Sequence, residues 1–529
     1  MSTGILRPSR SRGLRPAGEH RHPGRDRTRS RAPSPPPGSN VSASPTPPGS
    51  GRIVVLGAGI AGMRAAVEAL ERGYETILVD RASEAGGMAR SHRRGEFVFD
   101  HGPHGFFTSE EWLLREVLDL MESQGGYNWL TKWSQIHYRN EFFNFPLRIQ
   151  DVVGKLNPLT TVGAGLSFLW SRFKRRVTGR VVDNAEEYLV EQFGRVLYDA
   201  FFGPYTRKVW DIDPKHLDAD FTRDRVPALN LWDVFKKLFT DPDKEKKRVG
   251  PSGRVVTHDL HRFYYPRQGA GTLPKAYRAW VDRLGGRFAF ESSPVTIDIE
   301  RRIVTVEEAD GGTREIEYDG MVSTIPMDEL VPLIRPEPPP EIRLLASGLR
   351  YRAIKLVNVS LTKPQVIGPF WIYFTDRFFN RISEYRHFSD ELAPEGMTGI
   401  CFEVACHVGD FLWNASDNDV VRWCMQDLEE LGLARLEEVH DYHVIREPNA
   451  YPIYEVGYKG RLRRLIGWIE GTGHIMVAGR QGRFLYCNQD AALISGREAA
   501  QAALELLETG SVPSRVVEES KRPRRKVVR

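Results

Sequence analysis

Arg52-Ile-Val-Val-Leu-Gly57-Ala-Gly59-Ile-Ala-Gly62 opens the foldable part of this chain. The apolar run Ile53 to Leu56 predicts a buried parallel strand, and a helix follows from Ile60. Gly57 lets the chain turn tightly, Gly59 lets backbone approach a pyrophosphate, and Gly62 lets the helix pack close to the sheet. Ile60 and Ala61 begin that helix, whose free N–H groups and positive dipole end would face the pyrophosphate. A second strand, Thr76-Ile-Leu-Val-Asp80, ends in a carboxylate suited to accept from a ribose hydroxyl, with Arg81 beside it. Strand, helix, second strand and acid in register predict a bound ADP moiety.

The chain has 529 residues, enough for two or three domains. Apolar and charged contents of 41% and 27% are ordinary for a globular protein. No apolar run reaches 18 residues, so no membrane span is expected. Cys401, Cys406, Cys424 and Cys487 show no CxxC spacing. They predict buried thiols in a reducing, cytoplasmic setting, with neither a metal site nor a disulfide framework. The net charge of +5 is concentrated at the ends, since residues 1–50 hold nine Arg against Glu19 and Asp26. The end contributes Lys521, Arg522, Arg524, Arg525, Lys526 and Arg529, so the excess does not argue for a nucleic-acid-binding core.

Residues 1–50, rich in Arg, Pro and Ser, cannot bury enough surface to offset their ordering entropy and are expected to be disordered. A transit peptide would share their Arg-rich, acid-poor composition, but the Pro-Ser-Pro-Pro-Pro run argues against a targeting helix. Residues 511–529 read as a second disordered, basic tail. Helical periodicity covers Glu110 to Met121, Ala185 to about Val209, and Asp490 to about Leu507. Met327 to Leu333 and Pro336 to Pro340 read as a connector. Strand-like alternation marks Ile354 to Leu361, Phe370 to Phe374 and Thr398 to Val404. The strand Ile475-Met-Val-Ala-Gly479 and the following helix complete the nucleotide-binding unit begun at Arg52, so the middle of the chain is inserted.

Gly86-Gly87-Met88 followed by Arg90 resembles the second glycine turn of FAD proteins in the amine-oxidase and protoporphyrinogen-oxidase superfamily. Further segments resemble the UDP-galactopyranose mutases within it. His101-Gly102-Pro-His104-Gly is similar to that family's flavin-facing GGH or GAH loop. Phe202-Gly-Pro-Tyr205 through Trp210, then Arg225 to Asn230, resemble its substrate-domain helices. Asn380-Arg381, Ala450-Tyr451-Pro452, and Gly479-Arg480 with Tyr486 and Asn488-Gln489-Asp490 match later segments in order. The resemblance implies an α/β fold. It has a Rossmann-like FAD-binding domain built from discontinuous segments (51–108, 263–335 and 470–510), a helical domain (109–135 and 150–262) and an antiparallel sheet domain (136–149 and 336–469).

The same resemblance implies a flavin-dependent mutase interconverting pyranose and furanose forms of a nucleotide sugar, a UDP-sugar first among them. Reduced FAD would attack the anomeric carbon through N5. A departing nucleoside diphosphate needs positive charge that survives at any working pH, which guanidinium groups supply bidentately. Arg225 and Arg381 are therefore the candidate clamp, Arg480 a third phosphate contact, and His104 the residue facing the flavin. Tyr451, Tyr486, Trp210, Tyr205 and the Phe145-Pro146 turn are candidate substrate contacts, with a purely core role open for the first three. Gly479 and Asn488, Gln489 and Asp490 would meet the flavin; simple helix capping is the alternative for Asn488 and Asp490. No hydrolase pattern stands out.

Departures from the family are clear. Asn488-Gln-Asp-Ala491 lacks the closing histidine, Lys236 to Arg262 reads as an added loop, and Leu147-Arg148 alters the turn beside the nucleobase. The competing expectation is an FAD-dependent oxidase, dehydrogenase or desaturase of the same superfamily. The reductant stays open, NADPH being one candidate, as does a homo-oligomer.

Overall fold

The computed structural model describes residues 50–147, 149–178, 182–223 and 262–510. Arg225, Arg148, both tails and nearly all of the added loop lie outside these residues.

Strand Arg52–Leu56 sits at the centre of a five-stranded parallel sheet. On one side it pairs Glu75–Val79 and then Arg287–Ala289; on the other it pairs Gly320–Ser323 and then Ile475–Val477. Both faces of these strands are covered, which is why they read as continuous apolar runs. Helices Ile60–Glu71, Thr272–Arg283 and Gln489–Thr509 pack on one face around Met63, Val67, Leu273, Leu493 and Leu504. Gly62 and Gly496 make that packing close: a Cβ on Gly62 would overlap the Gly57 carbonyl oxygen, and one on Gly496 would overlap that of Ala61.

A seven-stranded sheet runs Val439–Pro452, Tyr351–Leu361, Thr398–Cys406, Arg381–Glu384, Trp371–Phe374, Ser134–Tyr138 and Glu141–Phe145. It is antiparallel except where Trp371–Phe374 meets Ser134–Tyr138 in parallel. That exception lets a segment some 230 positions earlier in the chain extend the sheet. Helix Asp417–Glu430 covers one face of it through Val421, Cys424 and Leu428.

The predicted single helix from Ala185 to Val209 is interrupted. It ends at Phe193, and Gly194 takes φ of 80° where its backbone meets that of Phe168 on helix Pro158–Thr178. Only glycine tolerates both the conformation and the close approach. A π-helical turn, Tyr198–Phe202, then leads into helix Gly203–Trp210. The expected connector near Met327 contains a helical turn, Met327–Leu330, and a short strand, Ile334–Arg335, that joins a separate four-stranded sheet.

Candidate active site

The nucleotide half of the site is formed by two glycine turns facing each other. Gly57 adopts φ of 99°, and its N–H donates to Val79 O at 2.7 Å, closing the first turn. Gly86 N–H donates to Ala58 O at 2.8 Å and brings the second turn alongside. A Cβ on Gly59 would meet nothing closer than Gly87 Cα at 3.9 Å and one on Gly87 would meet Gly59 Cα at 3.2 Å, so the two turns approach backbone to backbone with no side chain between them. Helix Ile60–Glu71 opens at its edge with no side-chain cap among the described residues, leaving first-turn N–H groups for an anion.

Asp80 follows strand Glu75–Val79 as expected and already accepts two backbone N–H groups. Its Oδ2 accepts Ala58 N–H at 2.6 Å and its Oδ1 accepts Ala82 N–H at 2.8 Å. In this structure it fixes the glycine turn, and a contact to ribose would have to use its remaining lone pairs. Arg81 is exposed and reaches Glu329. Arg90 Nε donates to Gly87 O at 3.0 Å, and Met88 Sδ accepts from Gln481 Nε2. At the closing helix, Asn488 forms no side-chain cap, contrary to the simple capping alternative. Gln489 is buried and its Nε2 has no hydrogen-bond partner among the described residues. Burial raises the Asp490 carboxyl. Two glycine turns that meet without side chains, two uncapped helix starts and an orphaned buried amide fit a dinucleotide-type cofactor.

The second half of the site is an aromatic cleft. Tyr373, Arg381 and Glu403 form one row across three neighbouring strands, each directly opposite the next. Glu403 Oε1 accepts from Arg381 Nε at 2.8 Å and also from Nη2, and the guanidinium lies 5.9 Å from the Tyr373 ring centroid. Tyr205 and Phe145 meet Tyr373 edge to face at 5.6 and 5.8 Å, and Trp371 Nε1 donates to Tyr373 Oη at 2.9 Å. Pro146, next in the chain, is exposed.

Across the cleft, Arg480 is flanked by the rings of Tyr486 and Tyr451 at 5.1 and 5.7 Å, which themselves meet at 4.9 Å. Arg480 donates to Cys487 O through Nε and Nη2 and to Ala450 O through Nη1. The phosphate contact expected of Arg480 therefore competes with an existing structural task. Trp210 is buried, edge-on to Phe221 at 4.4 Å, and touches both tyrosines from behind. Gly479 takes φ of 77° beside Ala61, which ties the Arg480 turn to the first glycine helix.

His104 lies where the two halves meet. Its Nδ1 is 2.6 Å from Gly102 O, so Nδ1 carries the proton and Nε2 remains an acceptor. Burial, with Arg480 and Arg381 nearby, pushes its basicity down to about 3, and the ring is neutral at working pH. Gly102 adopts φ of 81° to make this turn. The preceding Asp100 is fully buried and accepts from Tyr265 Oη, Ser91 Oγ and Ala270 N–H; burial pushes it up to about 6.

The structure thus brings His104, Arg381, Arg480, Tyr205, Tyr451, Tyr486 and Phe145 to one cleft. Sequence reasoning missed Tyr373 and Glu403. The alternation in Trp371-Ile-Tyr373 and Cys401-Phe-Glu403 carried the signal, but only the strand pairing reveals that both share a row with Arg381.

This fold and this site define a flavoprotein, and the chain belongs to the flavin-containing amine oxidoreductase family, whose model matches residues 60–504. It is 25% identical over 270 residues to the probable UDP-galactopyranose mutase of Klebsiella pneumoniae, covering 47% of this chain and 65% of that protein. It is 21% identical over 185 residues to the dTDP-fucopyranose mutase of Escherichia coli, covering 34% of this chain and 47% of that protein. The matched region thus spans just under two thirds of the first relative and about half of the second. A crystal structure of reduced UDP-galactopyranose mutase superposes with a TM-score of 0.72 at 21% identity, over 89% of this chain and 98% of that one. Cyclohexylamine oxidase from Brevibacterium oxydans superposes at 0.61 with 12% identity, over 87% and 99%. The cofactor implied by the family is a flavin.

Proposed function

We propose that this chain is an FAD-dependent nucleotide-sugar mutase, interconverting pyranose and furanose forms of a UDP-linked or similar sugar. The observation that carries this reading is that Arg381 and Arg480, each set against tyrosine rings, both lie within electrostatic reach of His104. Reduced FAD would supply the nucleophile for the anomeric carbon. The chain's own residues would bind and orient. The glycine turns at Gly57–Gly59 and Gly86–Gly87 would take the FAD pyrophosphate, and Gln489 Nε2 would donate to the flavin. Arg381 keeps its Nη1 unbonded among the described residues and would hold the diphosphate, with Arg225 as the partner assigned from sequence. Tyr205, Tyr451 and Tyr486 would exclude water and donate to phosphate oxygens. Neutral His104 would accept from a sugar hydroxyl or the flavin edge through Nε2.

A second reading has its own support. Glu403 neutralises Arg381 and leaves Arg480, bonded to backbone carbonyls, to carry the positive charge, and such an aromatic cleft also suits an oxidoreductase acting on a less charged substrate. The test separates the two. The flavin-loaded protein is reduced anaerobically, mixed with UDP-galactopyranose and related nucleotide sugars, and quenched with cyanoborohydride. Sugar interconversion, with a hexose retained on the released flavin, supports the mutase. Consumption of oxygen or another acceptor in step with product, and no interconversion across the panel, supports the oxidoreductase.

A further inference from the structure

Helix Pro158–Thr178 is amphipathic in the reverse sense. Its packed side is made mostly of small and polar groups, with Phe168 half-buried beside Gly194. Ala164 is buried, Gly163 faces Val196, and Ser167 Oγ accepts the N–H of Arg195 at 2.6 Å. The large apolar residues point the other way. Leu159, Val162, Leu166, Trp170, Phe173 and Val177 are each 59–87% exposed. Their spacing of three or four residues draws one stripe along the whole helix, about 27 Å at 1.5 Å per residue. A buried core helix would show the opposite arrangement, and a stripe of this size marks an interaction surface.

The charges identify the partner. The helix contains Arg172, Lys174, Arg175 and Arg176 in its last two turns and no Asp or Glu anywhere. Arg175 is paired with Glu191 and Arg172 reaches Gln192, while Lys174 and Arg176 are exposed with no ion pair among the described residues. A second copy of the helix would bring the same positive sign and no carboxylate to meet it. Trp170 and Phe173 sit beside the basic turns, the pairing of amphipathic aromatic and cation that suits the depth of lipid headgroups. The helix is not apolar enough to cross a bilayer. We propose that Pro158–Thr178 lies in the plane of an anionic membrane surface, with its apolar stripe inserted and its basic end on the headgroups. The basic residues of 511–529 supply a second attraction to the same charge. This docking is independent of which reaction the cleft performs.

The test uses the full-length, flavin-loaded protein and flotation with vesicles of phosphatidylcholine alone or mixed with phosphatidylglycerol. The protein is expected to float with the mixed vesicles, to leave them as salt rises, and to ignore the neutral ones. The triple variant Leu166→Glu, Trp170→Glu, Phe173→Glu should bind at least about tenfold more weakly, with flavin content and melting temperature unchanged. Brominated lipid should quench tryptophan emission in the unaltered chain and less so in Trp170→Phe, which retains the apolar stripe. No flotation would overturn the proposal. So would flotation unaffected by the triple variant, which would give the attraction to the basic ends alone. A dimer in solution that the triple variant dissociates would assign the stripe to a second copy.

Discussion

Arg381 and Glu403 stand directly opposite each other on neighbouring antiparallel strands, and the guanidinium fork closes on a single oxygen, Glu403 Oε1. The pair holds the guanidinium against the cleft wall at the cost of cancelling its charge. Arg381 stays charged at every accessible pH, because Glu403 and the surrounding tyrosines more than offset its burial. Its electrostatic reach is therefore set by Glu403 rather than by solution conditions. Glu403→Gln keeps one acceptor and removes the negative charge. The variant should bind a nucleoside diphosphate about three- to tenfold more tightly, followed by flavin fluorescence. Thermal melting should show a loss of about 2 kcal/mol, the scale of a charge-assisted hydrogen bond. Unchanged diphosphate affinity would remove Arg381 from the phosphate site.

Arg381→Ala and Arg225→Ala should each lower turnover by roughly 30- to 1000-fold, the equivalent of 2–4 kcal/mol of lost transition-state stabilisation. Flavin content should stay near normal. Arg381→Ala leaves Glu403 without its cation, so the double variant with Glu403→Gln serves as the stability control. Full activity in both single variants would exclude the diphosphate clamp.

Two glycines three positions apart should fail in different ways. A Cβ at Gly59 would meet only Gly87 Cα, at an unstrained 3.9 Å, and would stand where the pyrophosphate is proposed to lie, so Gly59→Val should fold but purify without flavin. A side chain at Gly62 overlaps the Gly57 carbonyl and crowds Val55, so Gly62→Val should lose the fold along with the flavin. Absorbance near the flavin bands and far-UV circular dichroism distinguish the two outcomes.

Asp100 gives a pH dependence with a definite sign. Burial lifts its carboxyl from 3.8 to about 6, so between those values the folded chain binds a proton that the unfolded chain has lost. Stability from this group is present below pH 4, declines as pH rises through the interval, and is flat above it. Its share is on the order of 3 kcal/mol at 1.36 kcal/mol per pKa unit. His92 and His104, pushed down to about 4 and about 3 by burial, act in the opposite sense, losing stability as pH falls below 6.5. The difference between the unaltered chain and Asp100→Asn isolates the carboxyl. The gap in unfolding free energy should change between about pH 4 and 7 and be constant above about pH 7; a constant gap throughout would mean that Asp100 is not raised.

Much of the nucleotide half was legible because its chemistry is local. The turn at Gly57, the close packing of Gly62 and the strand at Ile475 follow from residues a few positions apart. The cleft was less legible. Arg381, Tyr451 and Arg480 were found only through resemblance, and Tyr373 and Glu403 gained meaning once strand pairing set them beside Arg381. Asp80 shows the limit in the other direction. A carboxylate after the second strand reads as a ribose acceptor, yet the two backbone amides nearest to it, Ala58 and Ala82, already engage it. The helix from Ala185 failed for a tertiary reason, since the approach of Phe168 to Gly194 is invisible in the periodicity.

The central parallel sheet takes its strands from positions 52, 75, 287, 320 and 475 of the chain. During synthesis its inner strand emerges more than four hundred residues before the last strand of the sheet. The first βαβ unit must wait with both edges unsatisfied until Arg287–Ala289 and Gly320–Ser323 are made, and closure with Ile475–Val477 and the long helix after it comes late. Gln489, which would donate to the flavin, comes with those last segments, whereas the turns proposed for its pyrophosphate are made first. Flavin incorporation into a nascent chain is therefore expected only once the sheet has closed, and would report that closure.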